Sequence, residues 1–334
     1  MQGIRVCRIC DNRSGNETYI AREQQLGLGD EFEYFKCSEC GCLQISEIPT
    51  DLFKYYPPNY YSYRPCQPSF DFSRSGVGGY KLRLVVRLLT RHYYGRKNVV
   101  GKLLSEKSVV SEEFPLWVRR QQLDLKLGPA SRILDVGCGR GQALVDLHAL
   151  GFKNLTGADP FLESDFTYDN GIRIYKRNID EMEGEFDFIM LNHSFEHMPD
   201  QLSTLAKLKQ LVKSNCYLLI RIPVVDSYYW RQYGLNWAAL DAPRHLYLHT
   251  RESLKLLATQ AGFTVSELVF DSDGFTSWAS EQYAAGISLV DPRSYNVNPA
   301  SSIFKKEDID GFTRLATQLN DKGDSDYAAF LLRA

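Results

Sequence analysis

The 334-residue sequence predicts an α/β protein: a mostly parallel sheet with helices on both faces, behind a small module built on paired cysteines. Three observations carry this. From residue 131 onward, short apolar runs alternate with amphipathic helical patterns, the order that builds parallel sheets. One run ends in a turn with glycines at 137, 139 and 141. Five of the eight cysteines lie in the first 50 residues. The resulting organisation is a metal-binding module at 1–50, a Tyr/Pro-rich and basic connector or lid at 51–125, and the α/β domain at 126–334.

In the α/β domain, 132–136 is a strand that runs into the glycine turn. Leu144, Leu147 and Leu150 recur at helical spacing, so 141–150 is a helix, stopped by Gly151. The next strands are 154–158, ending before Asp159, then 172–175 and 186–191. Residues 201–213 form an amphipathic helix through Leu202, Leu205, Leu208 and Leu211. Residues 216–222 are a strand. Thr250 caps a helix over 251–261, which Gly262 terminates. Residues 264–270 are a strand, and 327–332 is the last one, pairing as a hairpin-like edge.

Composition narrows the function. With 44% hydrophobic and 24% charged residues the chain is an ordinary folded one, able to bury a sizeable core. A formal net charge of -2 gives no global reason for nucleic-acid binding. No run approaches the ~20 apolar residues that span a bilayer, and the N-terminus has no apolar signal-peptide core. The expected location is the cytoplasm, where thiols stay reduced and the cysteines are not a disulfide framework.

The glycine turn reads Asp135-Val136-Gly137-Cys138-Gly139-Arg140-Gly141, and Asp159 follows Gly141 by 18 residues at the end of the next strand. Glycines let the backbone approach a ligand, and a strand-ending carboxylate accepts hydrogen bonds from ribose hydroxyls. A glycine triplet alone also makes a plain tight turn. Here the spacing is Gly-x-Gly-x-Gly, not the Gly-x-Gly-x-x-Gly of dinucleotide binders, which disfavours a nicotinamide dehydrogenase. The preceding Asp135 would repel a pyrophosphate but suits the ammonium group of a methionine moiety.

On these residues, 132–222 resembles the class I S-adenosylmethionine-dependent methyltransferases, which implies a Rossmann-like fold. The resemblance implies that Asp135, Gly137, Gly139 and Gly141 cradle the methionine and ribose, and that Asp159 holds the ribose. Asn178 falls where the family often has an Asp near the adenine amine, and Ile179 would pack on the adenine. The segment from Phe186 to Asp200 resembles the family's fourth strand, with Asn192 and His193 flanking the cofactor and Glu196-His197 following. His197 is a catalytic candidate, or else it caps or packs the next helix.

Methyl transfer needs an aligned acceptor and a base for its proton. The segment 237–250, after the fifth strand, brings Asp241, Arg244, His245 and His249 together in a loop. His245 is the candidate base, or else part of the site's architecture. Arg244 is a candidate substrate contact, or else a partner of Asp241. Pro243-Arg244-His245-Leu246-Tyr247 resembles a subset of these enzymes that includes deoxysugar C-methyltransferases. Those usually carry an acidic residue where Arg244 stands.

Cys7-x-x-Cys10 and Cys37-x-x-Cys40 offer four thiolates at the spacing of a structural zinc site of zinc-ribbon type. The 26 intervening residues would hold a hairpin over 11–29, and Cys42 is a competing ligand. A cysteine module ahead of a methyltransferase core, with the Tyr55-Tyr56-Pro57-Pro58-Asn59-Tyr60-Tyr61 segment, resembles sugar methyltransferases of surface-polysaccharide pathways. Tyr60 and Tyr61 are candidate substrate contacts, or interdomain packing. Residues 81–102 hold seven Lys or Arg and no acid, a basic helix for a solvated face, a membrane surface or a phosphorylated substrate.

The expected function is S-adenosylmethionine-dependent O-methylation of a sugar or glycan, nucleotide- or lipid-linked. The alternatives are C-methylation of a nucleotide-linked keto-deoxysugar, a quinone-type small-molecule methyltransferase, and a non-catalytic cofactor-binding scaffold.

Overall fold

The structure is a computed structural model that describes residues 5–57, 63–69 and 76–334. Three strands open the chain: β1 (Glu17–Arg22), β2 (Glu31–Lys36) and β3 (Leu43–Ile45). Helices α1 (Gly76–Thr90), α2 (Val99–Lys107) and α3 (Leu116–Arg120) follow. Strand β4 (Arg132–Val136), helix α4 (Gln142–Ala149), and strands β5 (Asn154–Ala158), β6 (Phe166–Thr167), β7 (Arg173–Tyr175) and β8 (Phe186–Asn192) come next. Then come α5 (Gln201–Leu211), β9 (Val212–Pro223), α6 (Tyr228–Tyr233), β10 (Tyr247–Leu248), α7 (Arg251–Gln260) and β11 (Thr264–Phe270). Helices α8 (Phe275–Ala284) and α9 (Lys306–Lys322) precede the last strand, β12 (Tyr327–Arg333).

The large sheet has the order β11-β12-β9-β8-β4-β5-β7-β6. Strands β9, β8, β4, β5 and β7 are parallel to their neighbours in that run. Central strands are covered on both faces, so they read as nearly continuous apolar runs, as in Phe188–Leu191. From β4 the chain moves to β5 on one side and returns to β8 on the other. The carboxyl ends of β4 and β8 therefore mark the sheet's topological switch point, the place where open α/β sheets bind ligands.

Four expectations are corrected. Strand β12 is not an edge: it inserts antiparallel between β9 and β11, because its buried Ala328–Leu332 can be covered only in the sheet's interior. Helix α5 stops at Leu211, and Val212 already pairs with Phe186, so β9 begins four residues earlier than residue 216. The hairpin in the cysteine module is β1 with β2, so its second strand lies beyond Gly29. The basic stretch 81–102 is not one helix. After α1 the chain makes a π turn at Arg91–Gly95 and restarts at Asn98, whose side chain accepts from the Gly101 amide. A side chain at Gly101 would collide with His92 at 2.2 Å, so close packing of the two segments dictates the break.

The boundary at residue 50 does not separate two bodies. Strand β10, from the far end of the sequence, completes the small sheet in the order β1-β2-β3-β10. Tyr34 Oη donates to the His245 carbonyl at 2.8 Å. Ile9, Phe35, Leu43 and Ile45 share one apolar core with Leu205, Leu246 and Leu248. Glu23 is also buried, with Arg244 Nη2 3.0 Å from its carboxylate. Removing one partner of a buried ion pair typically costs ~3–5 kcal/mol. Asp241 remains as a second partner. Glu23→Ala should therefore destabilise the whole chain by about 3 kcal/mol. Urea unfolding followed by both cysteine-module and sheet probes should show one shifted transition; an unshifted midpoint would contradict the coupling.

Candidate active site

The glycine loop sits at the carboxyl end of β4. Gly137 has φ +72°, and an added Cβ would lie 2.4 Å from Ser194 Cβ, so glycine is required by backbone conformation and by space. Ser194 Oγ donates to the Val136 carbonyl at 2.6 Å, which ties the β8 loop to the glycine loop. Gly141, with φ +90°, precedes α4. The Gly139 amide donates to Asp159 Oδ2 at 2.8 Å and the Phe161 amide to Asp159 Oδ1 at 2.9 Å. Asp159 thus shapes the loop from the end of β5.

Asp135 is 3% exposed, and its Oδ1 has no hydrogen-bond partner. Burial first, then the Asp159 charge, push its carboxyl up to about 8, and a hydrogen bond with the Asn192 side chain opposes this only in part. A buried, partnerless carboxyl oxygen beside the loop is a fit for a cationic group of a ligand. Asn192 ends β8 with its side chain at Asp135, whereas His193, next in the chain at φ 51°, sets its ring against Tyr327 and its Nε2 against Arg221. Ile179 is half-buried against the main core, and Asn178 is exposed, its amide donating to Glu181 at 2.8 Å. Both follow β7, on the far side of Asp159 from the β8 loop.

A second group of polar side chains lies beyond the β8 loop. Glu196 and His197 occupy the short turn Phe195–His197, and His245 comes from the loop after β9. His197 and His245 rings stand 4.8 Å apart. His245 Nε2 lies 3.8 Å from both Glu196 Oε1 and Asp241 Oδ2. Glu196 is fully buried, neither of its carboxyl oxygens has a hydrogen-bond partner, and burial pushes it up to about 8. Burial holds both histidines below their ordinary value, taking His197 down to about 3, so both are neutral near pH 7. His249, by contrast, is structural: its ring is held between Gln201 and Ser253.

Arg244 does not face this cluster. Its side chain is wholly buried, and its guanidinium donates to Asp241, Glu23 and the Tyr55 carbonyl. The expected substrate contact is therefore an internal bridge between the cysteine module and the loop, because its donors are used there. Tyr60 and Tyr61 lie outside the described residues. Tyr56, from the same segment, reaches the cluster, its hydroxyl 3.2 Å from His197 Nδ1.

Sequence reasoning missed three participants. Glu23 lies 221 residues from Arg244, and no local pattern marks it. Arg221 and Asp271 form an ion pair at 2.6 Å, and Arg221 also contacts His193 Nε2. A charged residue inside the apolar run of β9 was the available signal.

In the cysteine module, Cys7 and Cys40 sulfurs are 3.6 Å apart and Cys10 and Cys37 sulfurs 3.5 Å, all four within 4.8 Å of one another. Zn–S bonds of ~2.3 Å place tetrahedral sulfurs about 3.8 Å apart, so the four fit that ion. Cys42 is outside this group, buried against the Ser253 side of the core. Two open hollows, of about 430 and 540 Å³, lie elsewhere: at the amino ends of β4, β5 and β7, and beside Cys37 and Cys40. No described helix is long and apolar enough to cross a membrane.

Residues 112–268 match a family model described as a methyltransferase domain. A search of curated proteins found no match. Among solved structures, a cyclopropane synthase from Mycobacterium tuberculosis is similar at 18% identity and TM-score 0.40, over 62% of this chain and 79% of that one. A geranyl diphosphate C-methyltransferase from Streptomyces coelicolor is similar at 13% identity and TM-score 0.41, over 62% and 71%. An S-adenosylmethionine-dependent methyltransferase from Mesorhizobium loti is similar at 14% identity and TM-score 0.38, over 62% and 94%. At this level of likeness none of them bears on the acceptor.

The Asp135 carboxyl yields a pH test. Its folded value, about 8, lies above the unfolded value near 3.9, so the folded state holds the proton more tightly. The stability this gives is full below about pH 4 and is lost as pH rises through about 8. Asp135→Asn should remove that loss, so its melting temperature should gain on wild type as pH rises from 5 to 8. Parallel melting curves across this range would refute the assignment.

Proposed function

We propose that this chain is an S-adenosylmethionine-dependent methyltransferase that methylates a hydroxyl of a sugar or glycan acceptor, a reading supported by the match of residues 112–268 to a methyltransferase-domain model. The observation that carries the site assignment is the buried, partnerless oxygen of Asp135 at the mouth of the glycine loop. In this reading Asp135 receives the ammonium of the cofactor's methionine, and the 137–141 loop approaches its backbone. Asp159, already fixed by two amides, turns toward the ribose hydroxyls. Asn178 and Ile179 border the adenine, and Asn192 and His193 close the opposite wall. The cofactor supplies an activated sulfonium methyl, so the protein's task is alignment and proton removal.

What supports a hydroxyl acceptor is the character of the adjoining cluster. Glu196, His197, His245 and Tyr56 present polar groups from three separate segments, whereas an apolar acceptor would be met by an apolar wall. His245 Nδ1 lies 2.7 Å from the Ala239 carbonyl, so it carries the proton and Nε2 directs a lone pair into the cluster. The acceptor's proton leaves at this cluster. The sugar class itself is supported by the ordered motifs of the sequence: cysteine pairs, tyrosine-proline segment, glycine loop and Pro-Arg-His loop.

Calorimetric titration with S-adenosylmethionine and S-adenosylhomocysteine, with NADH as control, tests the reading. Micromolar binding of the first two is expected, falling at least ~10-fold in Asp159→Ala through loss of charge-assisted hydrogen bonds. No binding to folded protein would defeat it. Transfer of labelled methyl to nucleotide sugars then tests the acceptor class.

We propose that Cys7, Cys10, Cys37 and Cys40 hold a structural zinc ion. A closed four-thiolate site contributes folding energy and leaves no open position for chemistry. Cys10→Ser should lose about one zinc per chain by elemental analysis and lower the melting temperature; unchanged zinc content would exclude these ligands.

A further inference from the structure

We infer that Glu196, His197 and His245, clustered at the sheet's carboxyl edge, form a binding site for one divalent metal ion. The inference rests on the methyl-transfer reading and deepens it. The three side chains each offer one ligand atom, and these atoms lie within 4.8 Å of one another. Glu196 and His197 arrive from the turn after β8 and His245 from the loop after β9, so the sheet's carboxyl edge brings them together.

Three independent features point to a cation. First, the Glu196 side chain is fully buried, and neither carboxyl oxygen has a partner. A buried carboxyl without donors is costly, and native proteins rarely leave one. Second, both histidines are oriented as metal ligands are. His245 Nδ1 stands 2.7 Å from the Ala239 carbonyl and His197 Nδ1 2.8 Å from the Arg244 carbonyl. A carbonyl only accepts, so each Nδ1 carries the proton and each Nε2 is left with its lone pair. Ligating histidines are commonly fixed in this way by a second hydrogen bond. Third, the 3.8 Å between His245 Nε2 and Glu196 Oε1 is too long for a hydrogen bond. Two ligands at about 2.1 Å from one ion stand up to about 4 Å apart, so this gap suits a shared metal.

The surroundings do not oppose it. Arg221 is paired with Asp271, and Arg244 with Glu23 and Asp241, so neither brings an uncompensated positive charge. The two nitrogens and one carboxylate favour zinc, manganese, cobalt or ferrous iron over calcium or magnesium. Three protein ligands leave positions open, as in catalytic metal sites. With His245 Nε2 committed to the metal, the ion takes over the activation in place of that nitrogen as base: an acceptor hydroxyl bound there would lose its proton to water more readily. Its oxygen lone pair would then form the new C–O bond while the C–S electron pair goes to sulfur.

The test uses the full-length, zinc-replete protein titrated with Co²⁺ and, separately, Mn²⁺. We expect one Co²⁺ per chain beyond the zinc, with a visible d–d band and no thiolate charge-transfer band. Its affinity should fall at least tenfold in Glu196→Gln and in His245→Gln. S-adenosylhomocysteine binding in each variant reports that it is folded, and His197→Gln replaces any variant that is not. No uptake of either ion beyond the zinc, or uptake indifferent to Glu196→Gln, overturns the metal site. If S-adenosylhomocysteine still binds, the methyl-transfer reading stands without it. Co²⁺ uptake in a protein that binds no S-adenosylhomocysteine would instead leave the metal site and remove that reading.

Discussion

The guanidinium of Arg244 is held between Asp241, Glu23 and the Tyr55 carbonyl, three segments that approach one another only in the folded chain. The next residue is His245, and the Arg244 carbonyl itself fixes the His197 ring. One buried cation therefore positions both histidines of the cluster and ties the cysteine module to the sheet's carboxyl edge. Its burial is tolerable because two carboxylates surround it. Burial pushes the Asp241 carboxyl up, but the Arg244 charge and hydrogen bonds outweigh this and hold it below its ordinary value.

Around that bridge, two carboxyl groups are treated in the opposite way. Asp135 and Glu196 are buried with carboxyl oxygens that have no hydrogen-bond partner, and burial raises both to about 8, the Arg221 charge opposing this only in part at Glu196. Asp135 lies at the end of β4 beside the glycine turn, and Glu196 lies in the β8 loop beside the histidines. The Ser194 bond to the Val136 carbonyl keeps these two halves in register. The carboxyl edge of β4 and β8 thus has an electrostatic pattern: buried carboxyls without a partner, separated from the positions where positive charge is already paired.

The cysteine module is part of this arrangement, not an appendage to it. Strand β3 would be an open edge without β10, and β10 lies just after His245. Thr250, which caps α7, also donates its hydroxyl to the Cys40 carbonyl at 2.7 Å. Order in the module therefore transmits to the Pro-Arg-His loop through backbone pairing on one side and through Glu23 on the other.

The glycine loop, Asp159, the capped start of α7 and most strands of the large sheet were legible in the sequence, because each depends on local requirements. A left-handed residue calls for glycine, a helix start calls for a capping hydroxyl, and a doubly covered strand calls for a continuous apolar run. The paired cysteines were legible for the same reason, since short spacing brings two thiols to one turn. Where β12 inserts, why 81–102 breaks, and what Arg244 faces were decided only in the tertiary structure. β12 answers to the uncovered edge of β9, the break to the contact of Gly101 with His92, and Arg244 to a glutamate 221 residues away. Burial and charge pairing depend on every segment that arrives at a point in space, and no window of sequence contains them.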